Sequence, residues 1–229
     1  MKKESLDNPK EETSEKKITN KPLYLILLAM IILVVVFFLA YFLFSSINKI
    51  NYNGLTFTKE MFGEIPVFHH YYNFMSQGKL FQYNLYLRND PRQNKVALTG
   101  DAIGTGIEFF EKDTIYISLE KDALVGCEYG SVGIANLASF LVDNKLNIKG
   151  ASADKELAME NNLTYATCKD NPREVVITIR NSNETRVIHE EKDCYIIEVA
   201  NCEVLPAIEK FQVQSILDAR DRRNKLSQL

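Results

Sequence analysis

Apolar positions follow three different spacings along this 229-residue chain. Residues 23–44, LYLILLAMIILVVVFFLAYFLF, run 22 positions without a charge. At 1.5 Å rise per residue, a helix of that length crosses a hydrocarbon core about 30 Å thick. The run exceeds the roughly 7–15 apolar residues of a secretory signal, and Tyr41, Phe42 and Phe44 fill the exit where a cleavage site needs small residues. The expectation is a retained anchor that meets the lipid bilayer through residues 23–44. Pro22 falls in the first turn, where its missing N–H costs nothing, and Tyr24 and Tyr41 suit the two interfacial belts.

After the apolar run the spacing becomes two. GLTFTKEMF places Leu55, Phe57 and Met61 on one side of a strand, and VFHHYYNFMSQGKLFQYNLYL reads as a hairpin of aromatic-rich strands turning at Gln77-Gly78. Asn89-Asp90-Pro91-Arg92 is a loop, VALTG a further strand, and GDAIGTG leads to the strand TIYISLE.

Thereafter strands alternate with helices. GSVGIANLASFLVDNKL (130–146) is apolar on most of its circumference, as a helix buried on a sheet would be. NIKGA is a strand, DKELAMENN a short helix with Asp154 as N-cap, LTYATC an extended piece, and EVVITIR, TRVIH and CYIIEVA are strands. A last helix, VLPAIEKFQVQSILDARDRRNK, carries an apolar stripe of Leu205, Ile208, Phe211, Ile216 and Ala219. Arg220, Arg222, Arg223 and Lys225 complement its dipole. The predicted fold is a single N-terminal transmembrane helix plus an extracytoplasmic α/β (α+β) domain. Residues 45–113 form an antiparallel β part, and residues 114–229 a βαβ-type mixed sheet with a C-terminal helix.

Charge sets the orientation. Lys10, Lys16, Lys17 and Lys21 precede the span and only Lys49 and Lys59 soon follow it, so residues 1–22 are expected to be a disordered cytoplasmic tail and the rest extracellular. Four cysteines, all after the span, and the sequons at Asn162 and Asn183 agree, and they make the domain a glycoprotein candidate. Beyond the tail, 21 basic residues face 25 acidic ones, which argues against a nucleic-acid partner.

Few motifs carry chemistry, and no cofactor is expected. His69 and His70 are adjacent on a strand and point to opposite faces, so they cannot share one ion; with only His189 besides, strand histidines are the better reading than zinc. GDAIGTG lacks the Lys and Ser/Thr of a phosphate loop. Gly130 and Gly133 at a helix start would suit either an anion or close helix packing. Acidic residues around Cys194 would raise a thiol's pKa, the wrong direction for a nucleophile paired with His189.

Disulfides are the default for the cysteines. An intact strand would hold Cys194 and Cys202 roughly 26 Å apart, which excludes that pair. Cys127 and Cys202 each follow a strand and precede a helix, whereas Cys168 and Cys194 precede strands, at the other end of the sheet. Cys127 with Cys202 and Cys168 with Cys194 is the favoured pairing.

LTYATC, VVITIRNSNETRVI, CYIIEVANCEVLPAIEKF and YLRNDPR together resemble uncharacterised single-pass envelope proteins of archaea. The resemblance implies an uncleaved anchor on an archaeal cell surface; that group has no established activity, so it assigns no functional residue. The leading expectation is a non-enzymatic surface module that binds an envelope protein or polymer, or its own copies. A sensory or accessory subunit of a membrane complex is the alternative, although Ala29 and Ala40 are the span's only small residues and no G-x-x-x-G stands in it. An extracellular hydrolase is the second alternative, and it would need a pocket with convergent polar groups near His70, Asp90 or Arg92.

Overall fold

The computed structural model describes residues 21–76, 78–100, 114–191 and 193–226. The expected tail, apart from its last two residues, and all of GDAIGTG beyond Gly100 lie outside them. The chain divides into two units, Met1–Ile47 and Asn48–Leu229.

The first unit holds α1, Lys21–Ile47. It runs three residues past the expected end at 44, because Ser45, Ser46 and Ile47 include no helix breaker. Leu23–Leu43 is long and apolar enough to cross a membrane, and none of it is buried within the protein.

The second unit opens with β1 (Lys49–Tyr52), β2 (Leu55–Phe62), β3 (Ile65–Ser76) and β4 (Lys79–Leu87), an antiparallel sheet in that order. The four residues of β1, KINY, are too few for alternation to show, so pattern reading passes over them. In the β3–β4 hairpin Phe68 pairs with Leu87 and Ser76 with Lys79. One face of the sheet buries Leu55, Phe57, Phe68, Leu85 and Leu87.

A seven-stranded sheet follows, made of β5 (Ala97–Thr99), β6 (Thr114–Leu119), β7 (Asn147–Ser152), β8 (Thr164–Tyr165), β9 (Val175–Asn181), β10 (Arg186–Glu191) and β11 (Cys194–Val199). Its order is β5-β10-β11-β9-β6-β7-β8. From β11 to β8 all neighbours are parallel, β10 is antiparallel to β11, and β5 is parallel to β10. Helix α2 (Gly130–Asp143) connects β6 to β7, α3 (Lys155–Glu160) connects β7 to β8, and α4 (Val204–Leu226) ends the chain. Asp154 caps α3 by accepting the Leu157 N–H at 3.0 Å. LTYATC yields only a two-residue strand, and the Ala166 carbonyl after it accepts the Ser118 hydroxyl at 2.6 Å.

Strand β5 leaves the N-terminal β part to form an edge of the second sheet, and both sheets contribute to one hydrophobic core. The reason is α4, which meets both. Its Phe211 packs edge-on against Tyr195 of β11 at 5.7 Å, and its Glu209 takes the backbone N–H groups of Arg88 and Asn89 at the end of β4. Val204, Ala207, Ile208, Phe211, Ile216 and Ala219 are buried, and Leu205, the first residue of the apolar stripe, is half-buried. A Cβ on Gly133 would come within 2.7 Å of Val204 Cγ1, so this glycine serves the α2–α4 contact. Gly100 has φ +94, and a Cβ there would meet the His189 carbonyl at 2.2 Å; it ends β5 against β10.

Candidate functional site, a polar cleft beyond the ends of β9 and β11

Three turns meet at the carboxyl ends of β9 and β11, where open α/β sheets place their ligands. The first is the loop after β4. Asp90 accepts the Arg92 backbone N–H at 2.9 Å and the Arg92 guanidinium at 2.6 Å. The guanidinium hydrogen bond holds the Asp90 carboxyl below its ordinary range, against the opposing effect of burial. Asn94 accepts the Val96 N–H at 3.1 Å and donates to the Pro206 carbonyl at 2.8 Å, fastening the loop to the first turns of α4.

The second turn, Asn183-Glu184-Thr185, joins β9 to β10. The third, Ala200 to Glu203, joins β11 to α4. They are sewn together by Thr185, whose hydroxyl donates to the Ala200 carbonyl at 3.2 Å and accepts the Ala200 N–H at 3.0 Å. Asn201 and Cys202 both have left-handed backbones, φ +49 and +60, uncommon for residues with a Cβ. The Cys127–Cys202 disulfide holds this turn from the far side.

The cleft so formed has a volume of about 590 Å³. Gln93, Asn94, Asn183 and Asn201 bring side-chain amides that donate and accept; Asp90, Glu184 and Glu203 bring carboxylates, and Lys95 a cation. Among the described residues neither a histidine nor a thiol lines it. Glu209, which accepts from the lining residue Asn89, is buried. Burial pushes its carboxyl up to about 7, although the hydrogen bonds from Asn89 and Arg88 pull the other way.

Of the residues singled out from sequence, Asp90 and Asn183 line this cleft. Arg92 reaches it only through Asp90. His70 takes no part: it sits on β3, its Nδ1 is 2.9 Å from the Thr56 carbonyl, its ring lies against Phe57, and burial lowers its pKa. Of His70, Asp90 and Arg92, then, Asp90 lines the cleft, whereas His70 belongs to β3 of the four-stranded sheet. His69 faces the opposite way, between Glu60 at 2.9 Å and Asn84 at 3.0 Å. Among the described residues no group of three or more His, Cys, Asp or Glu side chains could hold a metal ion.

The cysteines form two bridges, Cys127 with Cys202 and Cys168 with Cys194, with Cα separations of 5.2 and 5.4 Å. Strands β11, β9 and β6 lie side by side and parallel, which puts the residues after β6 and β11 at one end and those before β9 and β11 at the other. No thiol is left free for His189, which stacks on Tyr195 at 4.9 Å. Asn162 and Asn183 are both exposed.

Sequence reasoning missed Gln93, Asn94, Lys95, Asn201 and Glu203. Their only local signal is polarity in a loop, and what unites them is the register of β9, β10 and β11. Comparison with protein-family models, curated proteins and solved structures finds no match for the chain.

Proposed function

We propose that this chain is a single-pass membrane protein of the cell envelope, of the kind it resembles in archaea. Its short N-terminal tail is cytoplasmic, α1 is the anchor, and Asn48–Leu229 is an extracellular, non-enzymatic binding module. The lysine bias before α1, the two disulfides and the exposed sequon asparagines support that orientation. The observation that carries the binding role is the lining of the cleft, where side-chain amides and carboxylates converge. Groups that both donate and accept suit a hydroxyl-rich envelope polymer.

The test is binding of the full chain, in nanodiscs, to fractionated envelope polysaccharide, with the release of small fragments followed in parallel. Retention that falls about tenfold or more in the double variant Gln93→Ala, Lys95→Ala, with no fragments released, supports the reading. Fragment release abolished by the same variant would identify a hydrolase instead. Binding indifferent to both substitutions would remove the cleft from the function. Whole-cell labelling with a membrane-impermeant amine reagent tests the topology, and protection of every lysine from Lys49 onward would reverse it.

A further inference from the structure

The tip of the β2–β3 hairpin presents an apolar surface that the core does not use. Met61 is 62%, Phe62 78% and Ile65 39% exposed, and Phe62 pairs directly with Ile65 across the strands. Beside them a groove of about 390 Å³ runs between Val67, Tyr86 and Arg88. Large apolar groups gathered at one tip mark a contact surface rather than scattered exposure.

The path of the chain says what covers it. Asn48 is the single residue between α1 and β1, and its carbonyl accepts the Lys59 N–H at 2.7 Å. Strand β2 runs antiparallel to β1, so the β2–β3 tip lies at the end of the sheet where β1 begins. Phe62 lies three residues past Lys59, about 10 Å at strand rise. That reach is comparable to the polar layer over one face of a bilayer, roughly 5–8 Å deep. Lys49 and Lys59 flank the tip with cations suited to lipid phosphates, while of the two acids nearby Glu60 is bonded to His69 and Glu64 stands in the turn.

We propose that the β2–β3 tip, through Met61, Phe62 and Ile65, inserts into the lipid interface as a second membrane contact, so that the domain is held at a defined angle to the bilayer. This rests on the reading of α1 as the anchor. The far end of the same sheet supplies the contrast: Leu80, in the β3–β4 hairpin, is 68% exposed but lies at the opposite end of β3 from Ile65, and is expected to remain in water.

The chain contains no tryptophan, so single tryptophans report their own surroundings. The full chain is reconstituted in bilayers of brominated phosphatidylcholine as three variants, Leu33→Trp in α1, Phe62→Trp and Leu80→Trp. The expected result is deep quenching of Leu33→Trp, and a blue-shifted Phe62→Trp emission that loses most of its intensity to lipids brominated near the headgroup. Leu80→Trp is then unshifted and unquenched. If Leu33→Trp is quenched while Phe62→Trp behaves like Leu80→Trp, the interfacial contact is wrong and the anchor stands. A Phe62→Trp emission that is blue-shifted but unquenched places protein, a partner or a second copy, on the tip and overturns the lipid assignment. An unquenched Leu33→Trp sinks the anchor, and the inference with it.

Discussion

The carboxylate of Glu209, in α4, receives the side-chain amide of Asn89, after β4, at 2.7 Å, joining residues 120 positions apart. With the Arg88 N–H at 2.5 Å and the Asn89 N–H at 3.3 Å it makes three bonds, all from a site only 1% exposed. This contact fastens the end of β4 to α4 and holds Asn89, which lines the cleft.

Glu209 should give the stability a falling pH slope. Its carboxyl is raised from 4.5 to about 7 on folding, so between those values the folded state binds more protons than the unfolded one. The stability Glu209 contributes is then greatest below about 4.5 and is lost as pH rises through 7, by on the order of 3 kcal/mol. Denaturant midpoints measured across that range should fall for the native chain and stay flatter for Glu209→Gln; equal slopes would refute the assignment.

Glu198 should act with the opposite sign. It is 3% exposed between Arg180 at 2.6 Å and Arg186. Burial opposes its ionisation, yet hydrogen bonds from Arg186 and Arg180 outweigh that and keep its pKa below the ordinary value. The stability it contributes is present above about pH 4.5 and is lost on acidification. Glu198→Gln should lower the midpoint near neutrality by the equivalent of about 1–3 kcal/mol and blunt the acid-side decline.

Thr185 is both the last residue of the Asn183 sequon and a buried link to Ala200. Thr185→Val leaves the Ala200 N–H and carbonyl without that partner, at a cost of about 1–3 kcal/mol. Asn183→Gln also abolishes the sequon but touches none of those bonds. Thermal melts of the two variants, with Thr185→Ser as the rescue, should show loss only for the valine; equal losses would make glycosylation the cause.

Gly133→Ala trades helix propensity against collision. Alanine is favoured over glycine by about 1 kcal/mol in a helix interior, but its Cβ would meet Val204 Cγ1 at 2.7 Å and Ile208 Cδ1 at 3.1 Å. Overpacking of that kind costs about 1–3 kcal/mol, so net destabilisation is expected, partly recovered in Gly133→Ala, Val204→Ala. A more stable single variant would show that α2 and α4 can move apart freely.

Peptide mapping without reductant should recover Cys127 with Cys202 and Cys168 with Cys194. The second bridge, closing 26 residues of separation, nests inside the first, which closes 75. Each alone would constrain the unfolded chain by roughly 4 kcal/mol, and the nested pair by less than the sum. Reduction should therefore lower the denaturation midpoint sharply, and a Cys194–Cys202 peptide would overturn the strand register of β11.

Element type was legible wherever period and length agreed: the uncharged span of α1, the aromatic hairpin of β3 and β4, the stripe of α4. The Asp154 cap was equally plain, since capping is a contact between a residue and its own next turn. Strand β1 was invisible because four residues hold no period. In α4 the buried set extends beyond the apolar stripe, to Val204, Ala207 and Glu209, because that helix meets two sheets.

The disulfide pairing shows how far local rules extend. Strand ends follow from neighbouring residues, and once the strands are taken as parallel they sort the cysteines into two groups. The cleft shows where such rules stop. Asn94 and Pro206 are 112 residues apart and Thr185 and Ala200 fifteen, and neither sequence nor spacing names the partner. What the chain determined alone was everything a residue shares with its near neighbours: helix, strand, cap and covalent order. Which turns meet, which acid is buried and which apolar tip is left uncovered were decided only by tertiary structure, because those depend on sheet order, and sheet order is a competition among distant strands for one core.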